Sequence, residues 1–280
     1  MKFVDLGHHS WACISGGDDV FHSYGANQGF IANGDACIVV DSGFQNKTAQ
    51  QILTRVRKLR PKRLLFVDTH YHSDHVFGNT VFAAMGATVL SHEKCRRTMR
   101  AKSARLLAKY RARDPRLARI LENVRVSYPS LTYWDRLRAY PSEDLAIEMF
   151  HPGGRAHTDG DSIVHVPDDR VVFAGDVLWV GYHPNLEDSD IQGQIRALQM
   201  ILRLRPRRVV PGHGPVCGLK EVQRFIRYLE ELDRSSRGAL KAGLGPEEMV
   251  RRAVPSWSEG WKMRRLVGSY LHGLVDRQER

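Results

Sequence analysis

Three histidines and two aspartates occupy eight consecutive positions, 68 to 75, in the segment VDTHYHSDHVFGN. They are Asp68, His70, His72, Asp74 and His75. Buried polar side chains carry a desolvation penalty of a few kcal/mol each unless a partner satisfies them. The close spacing of these five residues therefore indicates that they bind a ligand, and imidazole with carboxylate is a donor set for metal ions.

Other metal-capable residues stand at the ends of predicted strands. Asp41 follows the apolar run ACIVV, the 68–75 cluster follows RLLFV, Asp176 follows VVFAG and His213 follows RRVVPG. His157 lies in the loop GRAHTDGD ahead of another predicted strand. In α/β proteins ligands gather where strands end, because rigid strands hold loop side chains at one edge of the sheet. We therefore expect one site.

These residues can form two sets of metal ligands with one carboxylate to share. The first set is His70, His72 and His157, the second is Asp74, His75 and His213, and the shared carboxylate is Asp176. Imidazole and carboxylate without thiolate suit zinc with a position left open for water. Two zinc ions ~3.5–4 Å apart would activate a water near pH 7, since the metal lowers its pKa to about 7.

The alternation His-Tyr-His-Ser-Asp-His also has a geometric meaning. Residues two apart on an extended segment point the same way, so His70, His72 and Asp74 share a face. His75 points elsewhere unless the chain turns, and the helical pattern that begins at Val76 supplies that turn.

The elements that position these residues alternate between strands and helices. Strands are predicted at 29–34, 35–43, 63–68, 87–91, 145–151, 161–167, 171–176 and 207–215, from β-branched and apolar runs bounded by turn residues. Helices are predicted after Asn46, which could cap the first of them, at 76–86, at about Gln192 to Arg205, and in three pieces after 218.

The composition is that of a globular chain: 280 residues, 42% hydrophobic and 26% charged. No segment approaches the ~20 apolar residues that span a bilayer, and residues 1–19 lack the apolar run of a signal peptide, so we expect a cytoplasmic protein without membrane partners. The four cysteines form no C-x-x-C pair, which disfavours both a disulfide framework and a thiolate zinc site.

The positive charge is concentrated in one segment. The chain has a formal net charge of +11, and residues 92–138 contain 14 Lys/Arg and 4 Asp/Glu, a net +10. Apolar residues at helical spacing predict two amphipathic helices there. This basic insertion either caps the site and steers anionic substrates to it, or presents a solvated face.

Taken in order, these motifs resemble those of the metallo-β-lactamase superfamily. The matches are Asp41 in VVDSG, the H-x-H-x-D-H run from His70 to His75, His157 in AHTDGD, Asp176 in FAGD and His213 in PGHGP. The resemblance implies an αββα sandwich with a dinuclear site at one edge. It also implies that Asp41 is not a ligand but holds the ligand loop by hydrogen bonds.

The resemblance implies a dinuclear zinc hydrolase, with iron or manganese as alternative metals. The fourth motif carries Asp176, as in glyoxalase II and lactonase-like branches, where common β-lactamases of the superfamily have cysteine. The leading hypothesis is therefore hydrolysis of a small-molecule ester, lactone, thioester or related acyl bond by metal-bound hydroxide. Asp74 would bind the second ion and hold or accept the nucleophile's proton.

Two residues after the fourth motif could overhang the metals. Tyr182 could donate a hydrogen bond to the oxyanion that forms at an attacked carbonyl, and His183 lies beside it. Simple loop packing is the other interpretation of both.

Other functions stay open at this point: a phosphoesterase or nuclease that uses the basic insertion, a β-lactamase, or a persulfide dioxygenase with one iron. Nucleic acid is the less favoured ligand, because the 37 positions between Asp176 and His213 leave no room for the large domain of the superfamily's RNA-cleaving branch. We divide the chain into a catalytic domain, 1–217, with the helical insertion 92–138, and a C-terminal helical extension, 218–280, which could pack on one flank or form a homodimer contact.

Overall fold

Two β-sheets stack face to face in the computed structural model, which describes residues 1–278. The strands are β1 (Lys2–Gly7), β2 (Ser10–Ile14), β3 (Gln28–Asn33), β4 (Ala36–Val40), β5 (Arg63–Val67), β6 (Thr88–His92), β7 (Leu131–Tyr133), β8 (Arg136–Ser142), β9 (Leu145–Phe150), β10 (Ile163–Val166), β11 (Val171–Trp179) and β12 (Arg208–His213). The first sheet has the order β1-β2-β3-β4-β5-β6-β7, and the second has the order β12-β11-β10-β9-β8.

Helices cover the outer faces of both sheets. They are α1 (Asn46–Arg57), α2 (Ser73–Val76), α3 (Asn79–Ala83), α4 (Glu93–Arg113), α5 (Pro115–Leu121), α6 (Ile191–Leu204), α7 (Leu219–Lys241), α8 (Pro246–Ala253) and α9 (Arg264–Gln278). Short 3₁₀ helices occur at Val20–Gly25 and Ser256–Ser258. None of the helices in residues 1–278 is both long and apolar enough to cross a bilayer.

The layers follow from which faces of the sheets are apolar. Ile31 and Val67 of the first sheet meet Ile147, Val164 and Phe173 of the second in one buried cluster. Each such side chain contributes ~1.5–3 kcal/mol by leaving water. A second cluster packs α1 and α3 on the first sheet, and a third packs α6 to α9 on the second. The predicted αββα sandwich is confirmed.

Parallel strand pairs bring the motif residues to one edge. β4, β5 and β6 run parallel to one another, and so do β11 and β12. The carboxyl ends of parallel strands lie at the same edge of a sheet. Asp41 follows β4, the 68–75 cluster follows β5, and His213 is the last residue of β12.

The two helices predicted in the insertion 92–138 are present, but the insertion is not helical throughout, which corrects its description as a helical segment. Helices α4 and α5 occupy 93–121, but β7 lies within the segment and β8 begins inside it. In β8 the exposed side chains Arg136, Arg138 and Tyr140 alternate with partly buried ones. Arginine on an exposed edge strand resembles the solvated face of a helix at the level of sequence. Strands β1 and β2 were also not predicted.

One helix was predicted at 76–86, but the structure has two short helices there. Helix α2 ends at Val76 and α3 begins at Asn79, with Gly78 between them. The Gly78 N–H donates to the Gly43 carbonyl at 3.0 Å, and a Cβ at Gly78 would lie 2.5 Å from the Ser42 carbonyl oxygen. The loop after β4 therefore interrupts this helix. Asn46 does not cap α1 either, because its side chain donates to the Asn123 carbonyl.

The C-terminal helices share their core with the second sheet. Phe225, Tyr228 and Leu229 of α7 belong to the same buried cluster as Val172 of β11 and Ile163 of β10. The predicted division at 217/218 therefore falls inside one continuous hydrophobic cluster. Residues 279 and 280 of the predicted extension lie outside the described residues.

Candidate metal centre

The structure brings the seven predicted ligands together at the carboxyl edge of the sheets. His70 and His72 lie in the loop between β5 and α2, Asp74 and His75 in α2, His157 before β10, Asp176 within β11 and His213 at the end of β12. Two groups of side chains could each hold an ion, namely His70, His72, His157 and Asp176, and Asp74, His75 and His213.

The first group surrounds a point bounded by three imidazole nitrogens. His72 Nδ1 lies 3.1 Å from His70 Nε2 and 2.9 Å from His157 Nε2. Asp176 Oδ2 lies 3.6 Å from His70 Nε2 and 3.3 Å from His157 Nε2. These donor atoms all lie within 4.8 Å of one another, so one ion can contact all four.

The second group uses the other oxygen of the same carboxylate. Asp176 Oδ1 lies 3.1 Å from His75 Nε2 and 3.4 Å from His213 Nε2. His213 Nε2 also lies 3.4 Å from Asp74 Oδ2. Asp176 therefore directs one oxygen at each group, which is the geometry of a carboxylate that bridges two ions.

Buried atoms without hydrogen-bond partners show that metal ions fit this site. His75 Nε2, Asp176 Oδ1 and His213 Nε2 are such atoms, and their residues are at most 3% exposed. Buried polar atoms in folded proteins almost always have a partner. These three atoms converge on one point, and a cation placed there would satisfy all of them.

Each ligating imidazole is oriented through its second nitrogen, as is usual for metal-bound histidine. The partners are Thr69 Oγ1 for His70 (3.1 Å), Asp188 Oδ2 for His72 (3.3 Å), Asp41 Oδ2 for His75 (2.8 Å), Ser189 Oγ for His157 (3.4 Å) and the Tyr24 carbonyl for His213 (2.9 Å). The nitrogen that faces the metal position is thereby fixed for all five rings.

Asp41 lies beside the ligands and outside both groups. Its Oδ1 accepts from the Thr69 N–H at 2.8 Å, and its Oδ2 is 2.8 Å from both Thr69 Oγ1 and His75 Nδ1. Its backbone φ is +60°, in the left-handed region that aspartate tolerates better than most residues. Asp41 thus ties the loop of His70 to the helix of His75.

The protonation of the metal-free site differs between the two groups. Burial lowers the pKa of His157 to about 3 and also lowers the pKa of His70, so both present lone pairs. Burial opposes charge on His213 as well, but the Asp176 carboxylate outweighs it and raises the pKa of His213 to about 9. In turn His213 and His75 hold the pKa of Asp176 well below its usual range despite burial.

A family model described as the metallo-beta-lactamase superfamily matches residues 24–213. The chain belongs to the metallo-beta-lactamase superfamily. The match includes the seven predicted ligands and Asp41, and helices α7, α8 and α9 lie beyond it.

Solved structures of the superfamily share the fold. A metallo-beta-lactamase from Pontibacter korlensis is 17% identical with a TM-score of 0.64, and the match covers 82% of this chain and 98% of that one. DIM-1 metallo-beta-lactamase exposed to ceftazidime is 16% identical with a TM-score of 0.64, and the match covers 82% of this chain and 96% of that one. VMB-1 is 16% identical with a TM-score of 0.64, and the match covers 81% of this chain and 95% of that one. Identities this low show the fold alone, and they do not separate β-lactamases from the glyoxalase II and lactonase-like branch.

Asp188 is a site residue that the sequence motifs of the superfamily did not indicate. It accepts a short hydrogen bond from the Tyr71 hydroxyl, contacts His72 Nε2, and lies 3.3 Å from Lys102 Nζ of α4. Its pKa is lowered, chiefly by the hydrogen bond to His72. Nothing in the sequence distinguished Asp188 from the neighbouring acids Glu187 and Asp190.

Asp68, the first residue of the dense cluster, lies apart from the ligands. Both of its oxygens accept from Asn79 Nδ2 at 2.9 Å, and burial raises its pKa well above the usual range. Its place in the sequence cluster therefore reflects a contact inside the protein.

Tyr182 and His183 both have protein partners. The Tyr182 hydroxyl donates to the Gly17 carbonyl at 2.6 Å, and His183 Nδ1 lies 2.8 Å from the Tyr228 hydroxyl under α7. Burial lowers the pKa of His183 to about 4. The oxyanion role of Tyr182 stays a prediction, and its present contact secures the loop that carries Tyr24.

A cavity of about 810 Å³ opens onto both ligand groups. His72, Asp74, Asp176 and His213 lie on its floor, and α4 forms one wall. The segment from Met263 to Leu266, at the start of α9, contributes to another wall. This volume is within the range of about 300–1,000 Å³ typical of small-molecule sites.

Proposed function

We propose that this chain is a dinuclear metal-dependent hydrolase that cleaves an ester, lactone, thioester or related acyl bond of a small molecule. The observation that carries the proposal is the Asp176 carboxylate, whose two oxygens face two separate groups of ligands. Zinc suits this imidazole and carboxylate donor set, with iron or manganese as alternatives. When bound, the ions would activate water and polarise the substrate carbonyl.

The chain's own residues supply the geometry and a proton acceptor. The five imidazoles are fixed by their second nitrogens, so no reorganisation of ligands is needed during turnover. Burial would raise the pKa of Asp74, but His213 and His75 hold it below its usual range, so this carboxylate is ionised near neutral pH. Asp74 lines the cavity and can hold or accept the nucleophile's proton.

The acidic residue at 176 supports the glyoxalase II and lactonase-like branch over a β-lactamase. A carboxylate in place of a thiolate would offer a second ion a harder ligand, and its other oxygen faces the first group of ligands. A phosphoesterase is the second candidate, because the basic wall of α4 would also attract a phosphate ester.

Metal analysis coupled to a substrate panel tests the proposal. The purified protein should bind two zinc ions and hydrolyse a lactone or thioester, while phosphodiesters and β-lactams are cleaved slowly or not at all. Asp176→Ala should lower both the metal content and turnover. Asp35→Asn, on an exposed residue paired with Arg63, is the matched control. One bound iron with oxygen consumption, the behaviour of a persulfide dioxygenase, would contradict the hydrolase.

A further inference from the structure

Four basic residues of α4 form a stripe along the wall of the metal cavity. Lys102, Arg105, Lys109 and Arg113 all line it. Their spacing of three, four and four residues places them on one face of the helix. At 1.5 Å per residue the stripe extends for roughly 16 Å.

Three of these four cations lack a protein partner. Lys102 lies 3.3 Å from Asp188 Oδ1 and donates to the Tyr71 hydroxyl. Throughout residues 1–278, the side chains of Arg105, Lys109 and Arg113 make neither an ion pair nor a hydrogen bond. Side chains with unmet donors that converge on a cavity are available to a ligand.

Three other basic residues of α4 are engaged within the protein. Arg97 pairs with Glu93 at 2.9 Å, and the Arg100 guanidinium lies 5.9 Å from the centre of the Tyr128 ring. Arg111 donates to the carbonyls of Leu121 and Val124 at 2.7 Å. We call the four cavity-lining cations, Lys102, Arg105, Lys109 and Arg113, the α4 stripe. Three of them, Arg105, Lys109 and Arg113, differ from these engaged residues because their side chains make no ion pair or hydrogen bond within residues 1–278.

The α4 stripe crosses the cavity above both ligand groups. At one end, Lys102 contacts Asp188, which orients His72 of the first group. At the other end, Arg113 lines the same cavity as Tyr24, whose carbonyl orients His213 of the second group. A substrate whose scissile bond lies at the ions would have its remaining length beside the stripe.

The rest of the cavity is mixed in character, which favours a small amphiphilic molecule over a nucleic acid. Leu106, Met263 and Leu266 are apolar, and Glu187 brings negative charge to the lining. A strand of nucleic acid would need a continuous positive groove, whereas here Asp19, Glu187 and Asp188 share the lining with the cations of α4 and with Arg265 of α9.

From this arrangement we infer that the α4 stripe selects acyl substrates that carry an anionic group, a carboxylate or a phosphate, remote from the scissile bond. The inference rests on the proposed hydrolase function. Unpaired cations at a partly enclosed cavity raise the local concentration of anions and bind their oxygens. On this inference, part of the positive charge of residues 92–138 serves to bind the anionic group of the substrate.

A matched set of para-nitrophenyl esters tests the inference. The esters are the monoester of glutaric acid, its terminal carboxamide as the neutral isostere, and the terminal phosphonate of equal chain length. The variants are Arg105→Glu and Lys109→Glu. Arg119→Glu is the control, because Arg119 is an exposed residue of α5 in the same basic segment and lies outside the cavity lining. Calorimetry with glutarate and inorganic phosphate on zinc-loaded protein measures binding without turnover.

The ratio of kcat/KM for the anionic ester over the carboxamide should fall about tenfold in each stripe variant and stay within about twofold in Arg119→Glu. Raised salt should reduce the ratio for the unchanged protein, because exposed charges are screened. The better of the carboxylate and phosphonate esters identifies the anion.

The outcomes separate the two proposals. Ester hydrolysis with an unchanged ratio in the stripe variants, or an equal loss in Arg119→Glu, overturns the inference and leaves the hydrolase standing. If none of the esters is hydrolysed but anion binding is lost in the stripe variants alone, the result supports anion selection by the stripe and contradicts the proposed acyl hydrolase function. Cleavage of single-stranded oligonucleotides that depends on Lys109, without turnover of the esters, replaces the small-molecule ligand by nucleic acid.

Discussion

At the scale of single residues, Asp176 joins the two ligand groups of the candidate metal centre. One of its oxygens belongs to each ligand group, and the backbone of β12 approaches it so closely that a Cβ at Gly212 would lie 1.9 Å from Asp176 Oδ1. A side chain at 212 would therefore displace the carboxylate from this position. A ligand with a single donor atom at 176 would therefore serve one group only.

Asp41→Asn should weaken metal binding without disturbing the backbone. Asparagine tolerates the left-handed φ of this position, but it replaces one acceptor oxygen by a donor and so loses a bond to Thr69 or His75. Zinc affinity, measured by competition with a chelator, should fall about 10- to 100-fold. Asp35→Asn should bind zinc normally. Unchanged affinity in Asp41→Asn would show that Asp41 does not orient the ligands.

The raised pKa of His213, about 9 against an ordinary 6.5, predicts proton release when metal binds. The proton stabilises the metal-free fold fully below about pH 6.5, and this contribution is lost as the pH rises through about 9. Since His157 is already neutral at pH 7, protons should be displaced mainly from the second group. Zinc titrations by calorimetry in buffers of different ionisation enthalpy measure this release. Absence of release at pH 7 would contradict the prediction.

At the scale of elements, the start of α4 packs directly on the loop that carries His157. A Cβ at Gly160 would lie 2.3 Å from the Cys95 nitrogen and 2.8 Å from its Cα, so helix and loop meet backbone to backbone. Cys95, Met99 and Leu107 of the same helix are buried in one cluster with Phe44 and Phe77. The position of α4, and with it the basic wall, depends on this contact.

Gly160→Ala should therefore disturb both the helix and the first ligand group. We expect a loss of about 1–3 kcal/mol in the free energy of unfolding and weaker binding of one zinc ion, since the added methyl group meets backbone. Urea unfolding and metal analysis measure the two effects. Gly154→Ala is the control, because a Cβ there meets nothing within 4 Å. A fully stable Gly160→Ala with normal zinc content would show that the contact is not required.

The sequence predicted these elements where local pattern and burial agree. The strand at 63–67 contains the apolar run LLFV and leads to the ligands at 70–75, and the strand at 171–179 contains the apolar run VVFA ahead of Asp176. Both the strands and the ligands could therefore be predicted from the sequence. Strand β8 was not predicted, because it is an edge strand in which exposed arginines alternate with partly buried residues. The break at Gly78 was not predicted either, because it depends on contacts with the loop after β4, which is distant in sequence. Asp188 has no motif, and its contact with His72 spans 116 positions.

At the scale of the whole molecule, the sandwich and the C-terminal helices form one hydrophobic unit. α7 packs into the cluster that also contains residues of β10 and β11, and the Met263–Leu266 segment reaches the metal cavity. Shared burial of this kind makes unfolding cooperative. We therefore infer that α7 to α9 and the metal-bearing sheets unfold together.

Leu229→Ala tests this cooperativity. Leu229 is fully buried in α7, and its truncation should cost about 2–5 kcal/mol of unfolding free energy. Tryptophan fluorescence and zinc release should shift together to lower urea concentration. Leu59→Ala, at a residue that is 39% exposed, should shift neither by much. Two separate transitions, with only one shifted, would make the C-terminal helices an independent unit.

Trp179, which lies beside the second ligand group, is an intrinsic fluorescence probe of that group. The ring of Trp179 stacks on His213 with centroids 3.8 Å apart and planes 9° apart, and its indole N–H donates to the Asp176 carbonyl. A change of charge on that imidazole alters the electric field at the indole directly. Metal binding to the second ligand group should therefore change the intrinsic tryptophan fluorescence of the protein. This change should be absent in Trp179→Phe.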